Sequence, residues 1–300
     1  MKLRTRNRIV TGALLLLVVL VVVGALLNVV PARAADTVTL PPRSVPLGMA
    51  TDHARERYWV LESASGRLRL TAIAADGTVE GDLVSNDTLT NAQALAYVGG
   101  QAYVGDVGGV RARVTIYRVT EPWPGTDILR AVAYPLAYPD GRHDAAAIMV
   151  DGRHRLYVIT TGSGAGIYRA PESLDAGEPN TLERIADAPA GVTDATVLRD
   201  GRFVVRTQAA VVALDGETFA PIGEAAIGVT QRGQSLTESL DEGEVMTAAG
   251  DGGDVTAIAV PGPAATASQS GATTRPASPT DAPSTRGFDQ VGRASCRERV

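Results

Sequence analysis

The tetrapeptide Asp-Gly-Arg-His occurs twice, at 140–143 and 151–154. Histidine beside carboxylates is suited to proton transfer or to holding a cation. The same Asp-Gly pair is also the chemistry of a tight turn. The two readings lead to different proteins, one an enzyme and the other a scaffold. Little else in the chain competes as reactive chemistry. It has three histidines (His53, His143 and His154) and one cysteine, Cys296. No HExxH, His/Cys cluster, Walker loop or G-x-S-x-G elbow is present. GSGAG at 162–166 lies between two strand-like runs rather than before a helix, so it is read as a β-turn. Ser235, in RGQSLT, has no identifiable base.

The elements that position these residues are strands. Between about 39 and 260 the sequence shows short runs of β-branched and aromatic residues closed by Gly and Asp turns. Five segments overlay: MATDHARERYWVLESASGRLRLTAIAADG, LAYVGGQAYVGDVGGVRARVTIYRVTEP, AIMVDGRHRLYVITTGSGAGIYRAP, ATVLRDGRFVVRTQAAVVALDG and LTESLDEGEVMTAAGDGGDVTAIAVP. Each reads as strand, tight turn, apolar strand, polar turn, strand. In the last four the first turn is Gly99-Gly100, Asp151-Gly152, Asp200-Gly201 or Glu242-Gly243, where glycine suits the positive φ of a hairpin. The second strands begin near Tyr58, Ala102, Leu156, Phe203 and Glu244, at intervals of 41 to 54 residues. That period predicts an all-β fold, a β-propeller of five or six blades. A β-sandwich is the alternative, but it does not require a repeated internal plan. DTVTLPPRSVPL near the N-terminus is expected to add an outer, closing strand to the last blade. On this plan the second DGRH is a hairpin turn, with Arg153 and His154 in solvent, and His53 sits on the turn of the first blade. The first copy differs. His143-Asp144 leads into an innermost strand, whose start faces the central channel, where propellers usually hold small molecules and ions.

The ends are of another kind. Lys2, Arg4, Arg6 and Arg8 precede a mostly apolar run at 9–30, followed by Pro31 and a small-x-small pattern at 32–34. Residues 1–34 are expected to be a long cleaved signal peptide or an uncleaved transmembrane anchor. Either places the remainder outside the cytoplasm, secreted or membrane-anchored. The propeller is expected to span 35–260. Residues 261–291, rich in Ala, Thr, Ser, Pro and Gly, form an expected disordered linker. The last nine residues, GRASCRERV, resemble the translation of a sequencing adapter and are expected to be an artefact, Cys296 included. The whole chain carries −5. The first 34 residues hold five basic groups and no acid, and the last nine carry +2, so 35–291 carries −12. An acidic body without a basic patch excludes nucleic acid as a natural partner and does not favour an anionic membrane surface. The partner expected is a small molecule or a cell-surface component.

The stretches AYVGDVGGVRARVTIYRVTEP, YPDGRHDAAAIMVDGRHRLYVIT and IYRAP, with NDTLTNAQALAY and VTDATVLRDGRFVVRT, resemble a family of exported bacterial β-propellers related to esterase-like phytases. The resemblance covers most of 50–260 and implies the fold more firmly than an activity. It also shows departures. GDVGGV keeps Asp106 but has Gly109 and Val110 where the family pattern has Asp and Asn. Ala146, Gln93 and Gln234 stand where it has Glu. Carboxylates meeting at one mouth repel unless a cation lies among them, and Ca²⁺ takes six to eight oxygens. Four neutralised acids weaken both the repulsion and the site. The resemblance leaves Asp106, His143, Asp144 and Asp194, with the amides of Gln93 and Gln234, facing a ligand or substrate. Asp106, Asp144 and Asp194 would be the ligands of a weak Ca²⁺. The other reading gives these residues only blade-to-blade hydrogen bonds. The thinning favours a non-catalytic extracytoplasmic binding or interaction module. The alternative is a metal-dependent hydrolase of lactone, ester or phosphoester type with a weakened central cation site.

Overall fold

A computed structural model describes residues 37–39, 46–63, 65–128, 130–227, 235–248 and 254–262. The N-terminal apolar run, Gln234, most of the linker and the last nine residues lie outside them. Among the described residues there is no helix, and none long and apolar enough to cross a membrane.

The described strands are β1 (Thr37–Thr39), β2 (Gly48–Asp52), β3 (Arg57–Leu61), β4 (Gly66–Ala74), β5 (Val79–Leu89), β6 (Ala94–Val98), β7 (Gln101–Asp106), β8 (Arg113–Thr120), β9 (Asp127–Ile128), β10 (Val132–Ala137) and β11 (Ala145–Val150). They continue as β12 (Leu156–Thr160), β13 (Gly166–Arg169), β14 (Asn180–Thr181), β15 (Glu183–Asp187), β16 (Val192–Val197), β17 (Phe203–Thr207), β18 (Ala210–Leu214), β19 (Pro221–Ala226), β20 (Leu236–Glu238), β21 (Glu244–Ala248) and β22 (Asp254–Ala259).

They form five sheets, each built on four antiparallel strands, so the propeller has five blades. The innermost strands β2, β6, β11, β16 and β20 touch one another in a closed ring. The ring is fastened by the expected N-terminal strand. β1 pairs antiparallel with β22 on the outer edge of the last blade, Val38 opposite Val255. Blades 1 and 2 also gain a fifth strand from the link between the third and outermost strands of the next blade, since β9 runs parallel to β5 and β14 parallel to β10.

Strands two deep in each blade are buried on both faces, which explains runs such as RYWVL and LYVIT with no polar alternation. Five hydrophobic clusters fill the interfaces between adjacent blades. The cluster between blades 3 and 4, for instance, joins Tyr157 and Ile159 to Phe203 and Val205. The first hairpin turns take positive φ at Gly99, Gly100, Gly201 and Gly243, as expected. Blade 3 differs, because there His154 adopts the left-handed conformation, with φ of 60°, in place of Gly152. His154 is exposed, as the sequence indicated.

Candidate functional site

The channel has two ends. One is formed by the starts of the innermost strands, the other by the hairpin turns that follow them.

The strand-start end holds the residues singled out by the resemblance. Asp106, at the end of β7, is buried. Its carboxylate accepts the backbone N–H groups of Thr90 (3.0 Å) and Asn91 (2.7 Å) and lies 3.2 Å from an Arg111 guanidinium nitrogen. The same nitrogen donates to the Asp106 carbonyl at 2.8 Å. Arg111 in turn exchanges two backbone hydrogen bonds with His143, at 2.9 and 3.0 Å. Asp144 accepts the Gly109 N–H at 2.6 Å. Gly109 has a φ of +78°, a conformation that favours glycine, and it shapes a loop whose N–H satisfies Asp144. Gln93 donates to the Asn91 side chain at 2.8 Å. Ala146 is the extra residue of a bulge at the start of β11, between Ala145 and Ala147.

The His143 ring is held by neighbours outside that loop. Its Nε2 is 2.9 Å from Asp140 and 3.3 Å from the Tyr168 hydroxyl, and Tyr138 and Tyr168 pack against it with centroids 4.9 and 5.3 Å away. Burial works to raise the Asp140 carboxyl, but the hydrogen bonds from Tyr168 and His143 outweigh it and hold the group below the usual range. Tyr168 is pushed up to about 12 by burial and by donating to Asp140.

Asp194 lies elsewhere. It is fully buried between blades 4 and 5 and accepts N–H groups from Ala195 (2.8 Å) and Leu236 (2.7 Å). Burial pushes its carboxyl up, while those two donors and the charge of Arg206 pull it down. Arg206, equally buried, donates to Thr247 (2.7 Å) and Thr193 (2.9 Å).

The structure therefore brings Asp106, Gln93, Asp144 and the His143 backbone together at the boundary of blades 2 and 3, and leaves Asp194 at another boundary. Gln234 lies outside the described residues. A Ca²⁺ ion does not fit Asp106, Asp144 and Asp194 as one set of ligands, because Asp194 lies at another blade boundary. Asp106 and Asp194 turn both carboxylate oxygens to backbone N–H groups, Asp144 turns one, and Arg111 supplies a positive charge to Asp106. Among the described residues, no group of three or more His, Cys, Asp or Glu side chains is arranged to hold a metal.

The wide space is at the turn end. A cavity of about 1480 Å³ is framed by the turns after β2, β6, β11 and β16 and by the last residues of β20. The second DGRH sits on its rim. Six arginines and seven carboxylates line it: Arg55, Arg153, Arg155, Arg169, Arg199 and Arg202, against Asp52, Glu121, Asp151, Asp200, Asp215, Glu217 and Glu238. Most are already paired. Arg55 bridges Asp52 (3.2 Å) and Glu121 (3.0 Å), Arg155 meets Asp151 at 2.6 Å, and Arg202 meets Asp200 at 2.7 Å. Deeper in, Arg55 also donates to the Tyr97 hydroxyl at 3.0 Å. Burial first, then the charge of Asp52, pushes Tyr97 up to about 12, so it keeps its proton at any working pH. Glu238 holds His53 Nε2 at 2.8 Å and the Arg199 N–H at 3.0 Å, joining blades 1, 4 and 5. The Thr51 and Thr237 hydroxyls meet beside this pair at 2.8 Å.

The sequence reading placed the ligand site at the strand starts and treated these turns as solvent. One signal marked them: an acid followed two to four residues later by arginine recurs at the same turn in three blades, as Asp52/Arg55, Asp151/Arg155 and Asp200/Arg202.

No family model and no curated protein matches the chain. Among solved structures it is similar to a gluconolactonase from Xanthomonas campestris, at 14% identity over 76% of this chain and 90% of that one, TM-score 0.46. It is also similar to a Myxococcus xanthus glutaminyl cyclase, at 9% identity over 74% and 93%, TM-score 0.49. A third likeness is to a putative gluconolactonase, at 14% identity over 79% and 97%, TM-score 0.44. At such identity a shared outline says nothing about chemistry.

Proposed function

We propose that this chain is an extracytoplasmic binding propeller whose ligand occupies the cavity at the turn end. The basic residues and apolar run at 2–30 support its export, as either a secreted or a membrane-anchored protein. The observation that carries the reading is the contrast between the two ends. At the strand starts, the Asp106 and Asp194 carboxylates are committed to backbone N–H groups, and Asp144 accepts one from Gly109. At the turns, a wide cavity is lined by charged side chains with unused hydrogen-bonding capacity.

The test is a thermal-shift screen of a small-molecule library on the wild type and on Gly152→Trp. Gly152 lines the cavity at a turn tip, and a Cβ there meets nothing within 4 Å, so an indole narrows the mouth at little cost to the fold. Compounds that raise Tm in the wild type but not in the variant support the reading. Compounds that shift both equally, and lose their effect in Asp144→Ala, overturn it.

A hydrolase is the second reading, favoured by the His53–Glu238 pair in the same cavity. A carboxylate that accepts a proton from Nε2 orients an imidazole and leaves Nδ1 as its basic nitrogen. Hydrolysis of a lactone, ester or phosphoester that is lost in His53→Gln supports it. Activity unchanged in that variant dismisses it.

A further inference from the structure

We infer that the cavity takes a neutral, hydroxyl-rich ligand of oligosaccharide size, an inference that rests on the binding reading above. The charges on its wall decide the class. Six arginines and seven carboxylates give the lining a net charge of −1, His53 left aside. The charges are interleaved rather than separated. Arg55, Arg155, Arg199 and Arg202 each have a carboxylate of the same wall as partner, while Arg169 is paired with Glu183 at 2.6 Å. Asp215 is used by its own turn, accepting from Thr218 at 2.8 Å. Only Arg153 and Glu217, of opposite sign, have side chains without an ion pair or hydrogen bond among the described residues.

An anion entering such a wall meets guanidinium groups that are already neutralised, with carboxylates beside them. A cation meets the reverse. Arg153 or Glu217 gives either one a single unpaired partner; any further ionic contact must break an existing pair, and stranding one partner of a pair is costly where it is shielded from water. A neutral polyol breaks none. Each paired carboxylate retains lone pairs that accept hydroxyl protons, and each paired guanidinium retains N–H groups that donate to hydroxyl oxygens. Vicinal hydroxyls fit both, because one can donate while its neighbour accepts. The pairs also hold their side chains in place beforehand, which lowers the ordering cost on binding.

Apolar surface is provided between the charges. The half-buried Phe219 lines the cavity, backed by the buried Tyr157 and Phe203 with centroids 5.1–5.9 Å apart, and offers one firmly held ring edge or face to the C–H groups of a sugar. Tyr97, kept protonated, adds a hydroxyl that both donates and accepts. Size points to an oligomer. Pockets for drug-sized ligands run to about 1,000 Å³, and this one is about 1480 Å³.

The experiment is isothermal titration of the full-length chain in a sugar-free detergent. The neutral probes are cellotriose, maltotriose and chitotriose. Citrate, inositol hexakisphosphate and spermidine serve as charged probes, and Gly152→Trp is titrated in parallel. The expected result is that at least one neutral probe binds, with Kd raised tenfold or more in the variant, and that the charged probes do not bind. If only a charged probe binds and the variant blocks it, the ligand class is overturned while the cavity keeps its role. If no probe of any kind is sensitive to Gly152→Trp, both the class and the cavity reading fail.

Discussion

Replacing Arg111 with alanine tests whether a side chain, rather than an ion, supplies the positive charge at the strand-start end. Arg111 makes two contacts with Asp106, at 2.8 Å to its carbonyl and 3.2 Å to its carboxylate. A hydrogen bond to a charged group contributes about 1.5–3 kcal/mol. The Arg111 side chain is 28% exposed, so solvent screens part of that, and the loss is set at about 2 kcal/mol. For a domain of this size, each kcal/mol moves Tm by about 2–4 °C, so Arg111→Ala should lower it by about 4–8 °C. Asp106→Asn is the control. Without the guanidinium, the Asp106 charge is a liability, so the double variant should lose clearly less than the sum of the two single changes. Wild-type melts are then repeated in millimolar CaCl₂ and in EDTA. An ion at a hundred times its Kd adds about 2.7 kcal/mol, a shift of about 5–10 °C that a circular-dichroism melt resolves easily. The expected wild-type shift is zero in both. A Tm that falls in EDTA, together with additive losses in the two variants, would refute the reasoning.

Other outcomes follow from the same contacts. Asp194→Ala leaves the buried N–H groups of Ala195 and Leu236 without their acceptor and removes a negative charge near the buried Arg206, and should cost about 3–5 kcal/mol in urea unfolding, against clearly less for Asp194→Asn. Asp200 is held below the usual carboxylate range chiefly by its hydrogen bond from Arg202. A depressed folded-state pKa adds stability that is present above the unfolded value and lost as pH falls through the folded one. Asp200→Asn should therefore lower Tm at neutral pH and leave it less sensitive to acid below about pH 4, as read from melts across pH. The two tryptophans differ, Trp59 being fully buried and Trp123 56% exposed, so iodide should quench one emitting population and spare the other. Phe203→Ala opens the core between blades 3 and 4, with an expected loss of about 3–5 kcal/mol in urea.

The blade plan was legible because it is local. Turn glycines and doubly buried strands such as LYVIT repeat at a fixed spacing, and each needs only its neighbours to be recognised. The choice between five and six blades was not local, since it depended on which innermost strands meet to close the ring, β2 and β20 being more than 180 residues apart in sequence. The same limit governed the site. Asp106 has the residue type of a ligand, but it serves as a clamp because the loop at 90–91 and Arg111 reach it first. No motif reveals whether a carboxylate faces a channel or a backbone N–H. The turn-end cavity was hidden for the opposite reason. Asp and Arg two to four residues apart at tight turns look like solvated surface, and only the closure of the ring brings the turns round one space.

The most direct test is a crystal structure of the full chain grown with CaCl₂ and soaked in chitotriose. The expected map shows the sugar in the turn-end cavity, within hydrogen-bond reach of Arg155, Asp151 or Tyr97, and no ion between Asp106 and Asp144. Calcium bound at Asp106 and Asp144, with the sugar at the strand starts and the turn-end cavity holding only solvent, would contradict it.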